Sequence, residues 1–336
     1  MTTELNSKNL GEFSLKPKAI LVHDPTPFGV FNQFIHIHKQ EIQEYYLFRE
    51  SPQPELYQSH HQEFVNALKA EIGYVFYLSD ILSSSTNQLL SKWQNYLSKN
   101  PNLVFTRDAF ITLPWMPDSY LPGKMGKKIR QLEPELMSDI GEILGLKEIL
   151  KIPDPLVLEG GDVIPFCHQN QRYLLIGYGR RTTKETLYFL QEQLISRGII
   201  DGIVGIELAQ WRINLDGGML PVTDDVIITH PESLINGILL NRTETQINPI
   251  HFFKDLGFQF IKVTQEESLY RLACNCFCLG ERKIIAYDLS ERVYNLLRQH
   301  HVNVIRVPGK ELVKGTGGPR CMTRPIYKEI TTKAFS

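Results

Sequence analysis

The chain has 336 residues, of which 42% are hydrophobic and 22% are charged, enough apolar material for one sizeable core or two modest domains. Lysine and arginine total 36 and aspartate and glutamate total 37, so the near-neutral balance offers no basic surface for DNA or RNA. We therefore expect no nucleic-acid partner, and a small charged metabolite fits this composition better than a polyanion.

The N-terminal residues, the apolar runs and the cysteines indicate the cellular location of the protein. Residues Met1–Lys18 are polar and hold no apolar run, so we expect neither a signal peptide nor a transit segment. No stretch approaches the roughly 20 apolar residues that span a bilayer, which predicts no membrane partner. The five cysteines are odd in number and unevenly placed, which favours reduced thiols in a cytoplasm over a disulfide framework.

Short apolar runs alternate with amphipathic stretches, which predicts an α/β fold. We expect a flexible N-terminus over residues 1–17 and a single domain over residues 18–336, with residues 83–100 as a short helical insertion between strands. Runs rich in Val, Ile, Phe and Tyr predict strands at Lys18–His23, Gly73–Leu78, Leu103–Leu113, Leu156–Phe166, Tyr173–Tyr178, Val226–His230, Phe260–Val263, Lys283–Tyr287 and Val302–Val307. Apolar residues at helical spacing predict helices at Ser59–Ile72, Lys184–Ser196 and Ser290–His301.

Tight glycine turns join several of these strands, as at Gly160–Gly161, Gly217–Gly218 and Gly280. Units of strand, glycine turn and strand recur about five times, which suits a pseudo-symmetric arrangement. Periodicity alone does not establish that symmetry.

The segment Asn102–Asp108 (Asn-Leu-Val-Phe-Thr-Arg-Asp) closes with a carboxylate. If it is a strand, alternation places Asn102 and Asp108 on one face, where an amide and a carboxylate meet one ligand. An edge strand with a solvated, charged end explains these residues equally well.

Two further segments combine acidic residues with paired glycines. In Leu158–Asp162 (Leu-Glu-Gly-Gly-Asp), Glu159 lies in an apolar run, and a buried carboxylate needs a cation or good donors. A hairpin turn with exposed acids is the alternative. In Trp211–Val222, Asn214 and Asp216 lie two apart, which puts them on one face if the segment is a strand; alone, it is equally a turn.

Cys321 follows a glycine-rich loop, Lys314–Arg320, and precedes a short apolar run. This placement permits an exposed sulfur among backbone N–H donors, with nearby cations favouring the thiolate. A small buried hydrophobe is the alternative. Carboxylates at Asp108, Glu159 and Asp216 with a nucleophilic thiol suit a guanidinium, because paired carboxylates hold its planar fork while a thiolate attacks its carbon.

Six motifs in the same order make the chain resemble the arginine deiminases. They are Asn102–Asp108, Glu159–Asp162, Gly177–Thr183, Leu215–Asp216, Ala286–Asp288 and the Gly-Gly-Pro-Arg-Cys-Met run of Gly317–Met322. The segments Leu47–Phe48 and His61–Phe64 are also similar, so the resemblance runs from about Lys18 to Ile326. It implies a five-bladed, pseudo-symmetric α/β-propeller (the pentein fold) with the ligand in a central channel.

The resemblance also implies a role for each matched residue. Asp108 and Asp216 would grip a guanidinium, with Glu159 close by as a further acid. Asn102 and Arg181 would contact the amino-acid end of an arginine-like substrate, with Arg130 as a second carboxylate clamp. Cys321 would attack the guanidinium carbon and form a thiouronium that water hydrolyses. The implied partner is a small guanidine, with no cofactor and no metal; an oligomer stays open.

This sequence departs from the family pattern in two respects. Arginine deiminases carry a histidine as general acid and base where this chain has Asn214, and an asparagine orients groups but does not carry a proton at neutral pH. The chain also lacks the larger helical insertion of that family. His168 or His23 would be replacement proton carriers. Three functions therefore stay open: a cysteine hydrolase, a guanidine binder without catalysis, and an amidinotransferase.

Other clusters receive structural interpretations. Cys274, Cys276 and Cys278 alternate, so a strand would place three thiols on one face, but the spacing is not that of a structural zinc site and a buried strand of small side chains is favoured. We interpret the histidine pairs His36/His38 and His60/His61 as solvated or core residues rather than metal ligands.

Overall fold

The computed structural model describes residues 11–85 and 87–330, and within them it confirms a mixed α/β fold. The α-helices are α1 (Lys39–Glu44), α2 (Pro54–Glu71), α3 (Leu78–Ser85), α4 (Asn87–Leu97), α5 (Glu133–Ile143), α6 (Lys184–Leu190), α7 (Pro249–Asp255), α8 (Gln265–Leu269) and α9 (Glu291–Gln299). The strands are β1 (Ala19–Val22), β2 (Tyr74–Tyr77), β3 (Phe110–Thr112), β4 (Ser119–Pro122), β5 (Lys147–Glu148), β6 (Val163–His168), β7 (Gln171–Tyr178), β8 (Gly202–Leu208), β9 (Met219–Pro221), β10 (Val226–Thr229), β11 (Leu234–Leu240), β12 (Glu244–Ile247), β13 (Gln259–Lys262), β14 (Phe277–Gly280), β15 (Lys283–Tyr287), β16 (Asn303–Val307) and β17 (Arg324–Ile326).

One three-stranded unit recurs in five separate sheets of the described chain. In each unit, the first strand pairs antiparallel with the second, and the second pairs parallel with a third. The units are β17–β1–β2, β3–β4–β5, β6–β7–β8, β9–β10–β13 and β14–β15–β16, and β11 and β12 extend the middle one. A parallel pair needs a long crossover, which α2, α5, α6, α7 and α9 supply.

Local residue chemistry accounts for where these elements begin. Pro54 begins α2, where its missing N–H costs nothing, and Phe64, Val65 and Leu68 form the buried face of that helix. Ser290 caps α9, since its side chain accepts a hydrogen bond from the Val293 backbone. Pairing of β17 with β1 brings the C-terminal strand, three residues beyond Cys321, beside the N-terminal one.

Two predicted strands are interrupted by turns, and the predictions are wrong at those turns. The strand predicted over Leu103–Leu113 is a 3-10 helix at Pro101–Val104, then a loop, and only then β3. Its start is fixed by Asn100, whose side chain accepts from the Asn102 backbone at 2.9 Å. Asn102 and Asp108 therefore do not share a strand face.

The two Gly-Gly segments are also 3-10 turns rather than strand or hairpin. Gly160–Asp162 interrupts the strand predicted over Leu156–Phe166, and a Cβ at Gly160 would lie 2.1 Å from the Arg107 carbonyl oxygen, so only glycine fits. Leu215–Gly217 forms the second turn, which confirms the turn as the correct one of the two interpretations of that segment, and Asn214 and Asp216 do not share a strand face.

Residues 11–17, predicted as part of a flexible N-terminus, are packed against the rest of the chain; residues 1–10 lie outside the described part. Phe13 is buried, and the buried Glu12 carboxylate pairs with Arg107 at 3.1 Å and with Arg320 at 2.6 Å. The packed chain therefore begins by residue 11. The insertion predicted at residues 83–100 corresponds to helices α3 and α4, which begin earlier, at Leu78.

The three closely spaced cysteines are all buried, but the strand predicted to carry them is wrong for two of the three. Cys274 and Cys276 precede β14, and only Cys278 lies within it. Among the described residues, no group of three or more His, Cys, Asp or Glu could hold a metal ion. None of the helices in that part of the chain has the length and apolar character to cross a membrane.

Candidate active site

Distant turns of the chain meet around one cavity with an empty volume of about 730 Å³. Its walls include the loop after the 3-10 helix Pro101–Val104, the turn at Asn214–Gly217 and the glycine-rich loop that ends at Cys321. Except for Glu159, every predicted site residue lines it: Cys321, Asn214, Asp108, Asp216, Asn102, Arg181 and Arg130. The structure thus brings together side chains that are up to about 220 positions apart in the sequence.

The Cys321 sulfur is partly exposed at the cavity and contacts one amide and one carboxylate. Asn275 Nδ2 lies 3.1 Å from Sγ, and Asp216 Oδ2 lies 3.4 Å from it. Asn275 Oδ1 accepts hydrogen bonds from the backbones of Cys321 at 3.0 Å and Gly318 at 3.1 Å, which holds the loop that carries the thiol. Sequence reasoning missed Asn275 because the cysteines on either side of it dominated that segment.

Burial, together with the negative charges of Asp216 and Asp108, raises the pKa of the Cys321 thiol well above its ordinary value. Arg320 lowers the pKa of Cys321, but its effect is smaller than the combined effect of burial and the two carboxylates. The expectation that nearby cations favour the thiolate is therefore wrong for the structure as it stands. A cation bound beside Asp108 and Asp216 would lower the pKa of Cys321 from this raised value, because it would offset the two negative charges.

Each cavity carboxylate already contacts one arginine. Asp108 Oδ2 pairs with Arg130 at 2.7 Å, and Asp216 Oδ2 pairs with Arg320 at 2.9 Å. An ionised carboxylate has about four lone-pair positions, so these contacts leave room for further donors. Burial raises the pKa of Asp216, while Arg320 lowers it. Arg320, adjacent to Cys321, was not singled out from the sequence although its position next to the thiol was a usable signal.

Glu159 lies behind the cavity wall instead of lining it, and its side chain is fully buried. Its carboxylate accepts from Arg181 Nη1 at 3.0 and 3.2 Å and from Asn214 Nδ2 at 3.3 Å. The resemblance implies that Glu159 lies near the guanidinium and that Arg181 lies near the opposite end of the substrate. In the structure, the two side chains are instead in direct contact. Glu159 therefore reaches the cavity through Asn214 and Arg181.

Asn214 bridges two buried carboxylates. Besides Glu159, its Nδ2 donates to Asp162 Oδ2 at 3.0 Å, and the Asp162 side chain also accepts from Thr182 Oγ1 at 2.7 Å. Burial raises the pKa of Asp162 to about 8, although the hydrogen bonds from Thr182 and Asn214 lower it. A proton-binding acid thus lies directly behind the asparagine.

Among the described residues, no histidine lines this cavity. His168 is at the end of β6, with its Nδ1 buried and unpartnered. His23 packs against Phe28, and burial lowers its pKa to about 3. Neither is placed to carry a proton to a group bound at Cys321.

Two predicted ligands of the amino-acid end are committed to protein contacts. Arg130 donates to both oxygens of Glu133, each at 2.8 Å, in addition to Asp108. Asn102 donates its amide to the Tyr46 carbonyl at 3.0 Å and to Asn100. Both side chains line the cavity, but hydrogen bonds to neighbouring protein groups already hold them in a buried network.

Comparison with known proteins identifies similar sequences over most of the chain. The arginine deiminase family model matches residues 85–253 and 250–328. Arginine deiminase from Listeria welshimeri is 24% identical over 274 residues, covering 72% of this chain and 66% of that protein. The one from Staphylococcus epidermidis is 26% identical over 281 residues, covering 71% and 64%. The matches thus span slightly less than two thirds of these relatives' length.

Solved structures with the same fold cover nearly the whole chain. The product-bound N-terminal domain of ArgZ, an arginine dihydrolase of cyanobacteria, superposes with a TM-score of 0.67 at 17% identity, covering 93% of this chain and 99% of that one. DDAH from Pseudomonas aeruginosa, in complex with citrulline, gives 0.64 at 17% identity over 93% and 100%. At these identities the likeness shows the fold, which is the pentein fold that the motifs imply.

Proposed function

The chain belongs to the arginine deiminase family, and from this premise we propose that it is a cysteine hydrolase of arginine or of a substituted guanidine. One observation carries the proposal: Cys321 Sγ lies 3.4 Å from Asp216 Oδ2 in a cavity that Asp108 also lines. A thiol held against buried carboxylates suits a substrate that is cationic, planar and electrophilic at its centre.

Binding of the substrate cation activates the nucleophile. Burial is the largest cause of the raised pKa of Cys321, and the charge of the substrate beside Asp108 and Asp216 offsets the two negative charges that add to it, so the sulfur becomes more reactive where the substrate lies. The protein thereby keeps the thiol protonated until a cation binds.

The reaction then proceeds in two balanced steps. A sulfur–carbon bond forms, the bond from that carbon to the leaving nitrogen breaks, and the nitrogen takes the thiol proton and leaves as ammonia or an amine. Water attacks the resulting thiouronium, the carbon–sulfur bond breaks, and a ureido product and the free thiol result. The second step releases one proton, which the departed amine accepts.

Proton transfer is the unusual part of this proposal. Asn214 occupies the general acid–base position, and loss of such a group typically lowers the rate by about 10²–10⁴. We assign Asn214 and Glu159 to positioning, since Asn214 Nδ2 is fixed between Glu159 and Asp162. The thiol proton itself serves the leaving nitrogen.

Turnover assays test the proposal. Purified protein is incubated with arginine, methylated arginines, agmatine, 4-guanidinobutyrate and Nα-acetylarginine, and ammonia, amines and ureido products are measured against a Cys321→Ala control. We expect product with at least one guanidine and none with the variant. Absence of any product with the wild-type protein, over substrate concentrations that saturate binding, would overturn it.

A second candidate is a guanidine binder without catalysis, and Asn214 is the observation that favours it. Binding of a guanidine requires the cavity carboxylates, but it does not require a residue that carries a proton. Calorimetric binding of a guanidine with no product in the same solution would support this candidate, and detectable product would exclude it.

A further inference from the structure

A second cavity adjoins the one that holds Cys321. Its empty volume is about 550 Å³, and Leu47, Arg49, Arg181, Ile213 and Thr316 line both cavities. We call the cavity that contains Cys321 the inner cavity and the second one the outer cavity. A molecule with its guanidinium at Cys321 and a long enough chain would therefore place its far end in the outer cavity.

The charged side chains of the outer cavity are all cations. Arg49, Arg180 and Arg181 line it, whereas no acidic side chain of the described residues does; Gln43 and Thr316 are its uncharged polar members. Glu50, the chain neighbour of Arg49, influences Arg49 electrostatically but does not line the cavity. The inner cavity is lined by Asp108 and Asp216 together with four arginines, whereas the outer cavity has arginines and no carboxylate among its described lining residues.

These arginines have unused hydrogen-bonding capacity. Arg181 is 7% exposed and its Nε has no hydrogen-bond partner, which is rare for a buried polar atom. Arg49 donates to the Leu269 carbonyl at 2.8 Å and lies over the Tyr270 ring, without a carboxylate partner among the described residues. Arg180 is exposed and makes no ion pair within the same part of the chain.

This arrangement disfavours a free arginine. The α-carboxylate would find donors in the outer cavity, but the α-ammonium group beside it would face Arg49 and Arg180, which have no carboxylate partner among the described residues, and the one acid that pairs with Arg181, Glu159, lies behind the cavity wall. Like-charge juxtaposition opposes binding, and it is an effective way to reject an otherwise similar ligand. A neutral acceptor such as the Asn102 amide does not replace a counter-ion.

Resting on the proposed function, we propose that the outer cavity is an anion subsite and that the substrate is a guanidino acid whose far end carries carboxylate but no free ammonium group. An Nα-acylated arginine has this chemistry, and one whose acyl group bears a second carboxylate would use the outer cavity best. Arg49, Arg180 and Arg181 are then the residues that determine specificity.

The test compares guanidines that differ only at the far end. Binding to full-length Cys321→Ala protein is measured by calorimetry for agmatine, arginine, 4-guanidinobutyrate, Nα-acetylarginine and Nα-(3-carboxypropanoyl)arginine. We expect the last to bind about tenfold or more tightly than arginine, because it adds charge-assisted hydrogen bonds and removes the ammonium. Agmatine, which has an ammonium and no carboxylate, should bind weakest.

Substitutions of single arginines test whether the outer cavity causes the preference for the dicarboxylate. Arg180→Ala should weaken the dicarboxylate about tenfold while changing agmatine affinity less than twofold, and Arg180→Glu should make arginine the preferred ligand over it. Arg242→Ala is the matched control, since Arg242 is also exposed and lies outside both cavities. It should leave every affinity unchanged.

Failure of this inference is distinguishable from failure of the proposed function. If guanidines bind but arginine is preferred over its acylated forms, or Arg180→Ala affects all ligands equally, the anion subsite is wrong and the guanidine site stands. If no guanidine of the set binds, the proposed function itself is wrong.

Discussion

Asn214 Nδ2 lies 3.0 Å from Asp162 Oδ2, so the asparagine to which we assign the position of the family's general acid and base donates a hydrogen bond to a buried acid. Burial keeps the pKa of Asp162 at about 8. The site therefore contains a proton-binding group, but one that reaches the cavity only through an amide.

Replacing Asn214 with histidine should restore a proton carrier. Its ring nitrogen would meet Glu159 and Asp162, which now accept from Asn214. We expect Asn214→His to raise kcat by about 10²–10⁴, the usual contribution of a general acid–base, with little change in KM. Steady-state kinetics with the best guanidine measure this. Asn214→Gln, which keeps the amide, is the control, and an equal gain with it would contradict the explanation.

The thiol should become more reactive when its acidic neighbour is neutralised. Asp216→Asn removes a charge that raises the pKa of Cys321 and frees Arg320, which lowers it. We expect alkylation of Cys321 by iodoacetamide at pH 7 to accelerate about tenfold or more. The other four cysteines are buried, so peptide mass spectrometry reports this thiol specifically. In the unsubstituted protein the alkylation rate should still be rising at about pH 10, where an ordinary thiol with a pKa of about 8.5 has reached its plateau; a plateau below that pH would contradict the raised pKa of Cys321.

The N-terminal Glu12 should be important for stability. Its carboxylate lies between the buried guanidinium groups of Arg107 and Arg320. Glu12→Gln removes the ion-pair partner of Arg107 and leaves Arg320 with Asp216 alone, and we expect it to lower the free energy of unfolding by about 3–5 kcal/mol. Urea denaturation measures this. Glu329→Gln, which breaks an exposed pair with Lys18, should have almost no effect; equal losses in the two variants would contradict the assignment.

Asp162 should make stability depend on pH in an identifiable window. Its pKa rises from about 3.8 to about 8 on burial, so the folded protein binds a proton that the unfolded chain releases. This bound proton contributes to the free energy of unfolding in full below pH 4, and the contribution declines as the pH rises. Above pH 8 it is lost, which lowers the free energy of unfolding by a few kcal/mol, as an order of magnitude. Asp162→Asn should flatten the unfolding free energy between pH 4 and 8. An unchanged slope would show that the carboxyl is ionised throughout.

Sequence reasoning selected residues that mostly line one cavity, but it was less successful in predicting the local structure that carries them. Glycine-rich turns and isolated acids indicated where chemistry lies, but alternation placed Asn102 and Asp108 on one strand face. In the structure, Pro101 and the Asn100 cap form a 3-10 helix there. The turn-forming preferences of Pro101 and Asn100 determine the backbone here, and the alternation of apolar residues does not. The side chains of Asn102 and Asp108 therefore line the cavity from a 3-10 helix and a loop, not from one face of a strand.

Long-range ion pairs were beyond the sequence argument for a related reason. Nothing local reveals that Glu12 will contact Arg320, 308 positions away. Likewise, Arg49 and Arg181 line one cavity because separate units of the fold meet there, which periodicity does not encode. Regular elements such as α9 were predicted nearly to their ends because their signals are local: a capping serine and apolar residues at helical spacing.

The central claim is that Asp108 and Asp216 hold a planar cation against the Cys321 sulfur. The most direct measurement compares alkylation by 2-chloroacetamidine, a cation, with alkylation by neutral 2-chloroacetamide, since the ratio of rates cancels the thiol's own reactivity. We predict a ratio for Cys321 about 100-fold above that of a small-molecule thiol, falling at least tenfold in Asp108→Asn and Asp216→Asn. A ratio equal to that of the free thiol, or amidine labelling elsewhere than Cys321, would contradict the claim.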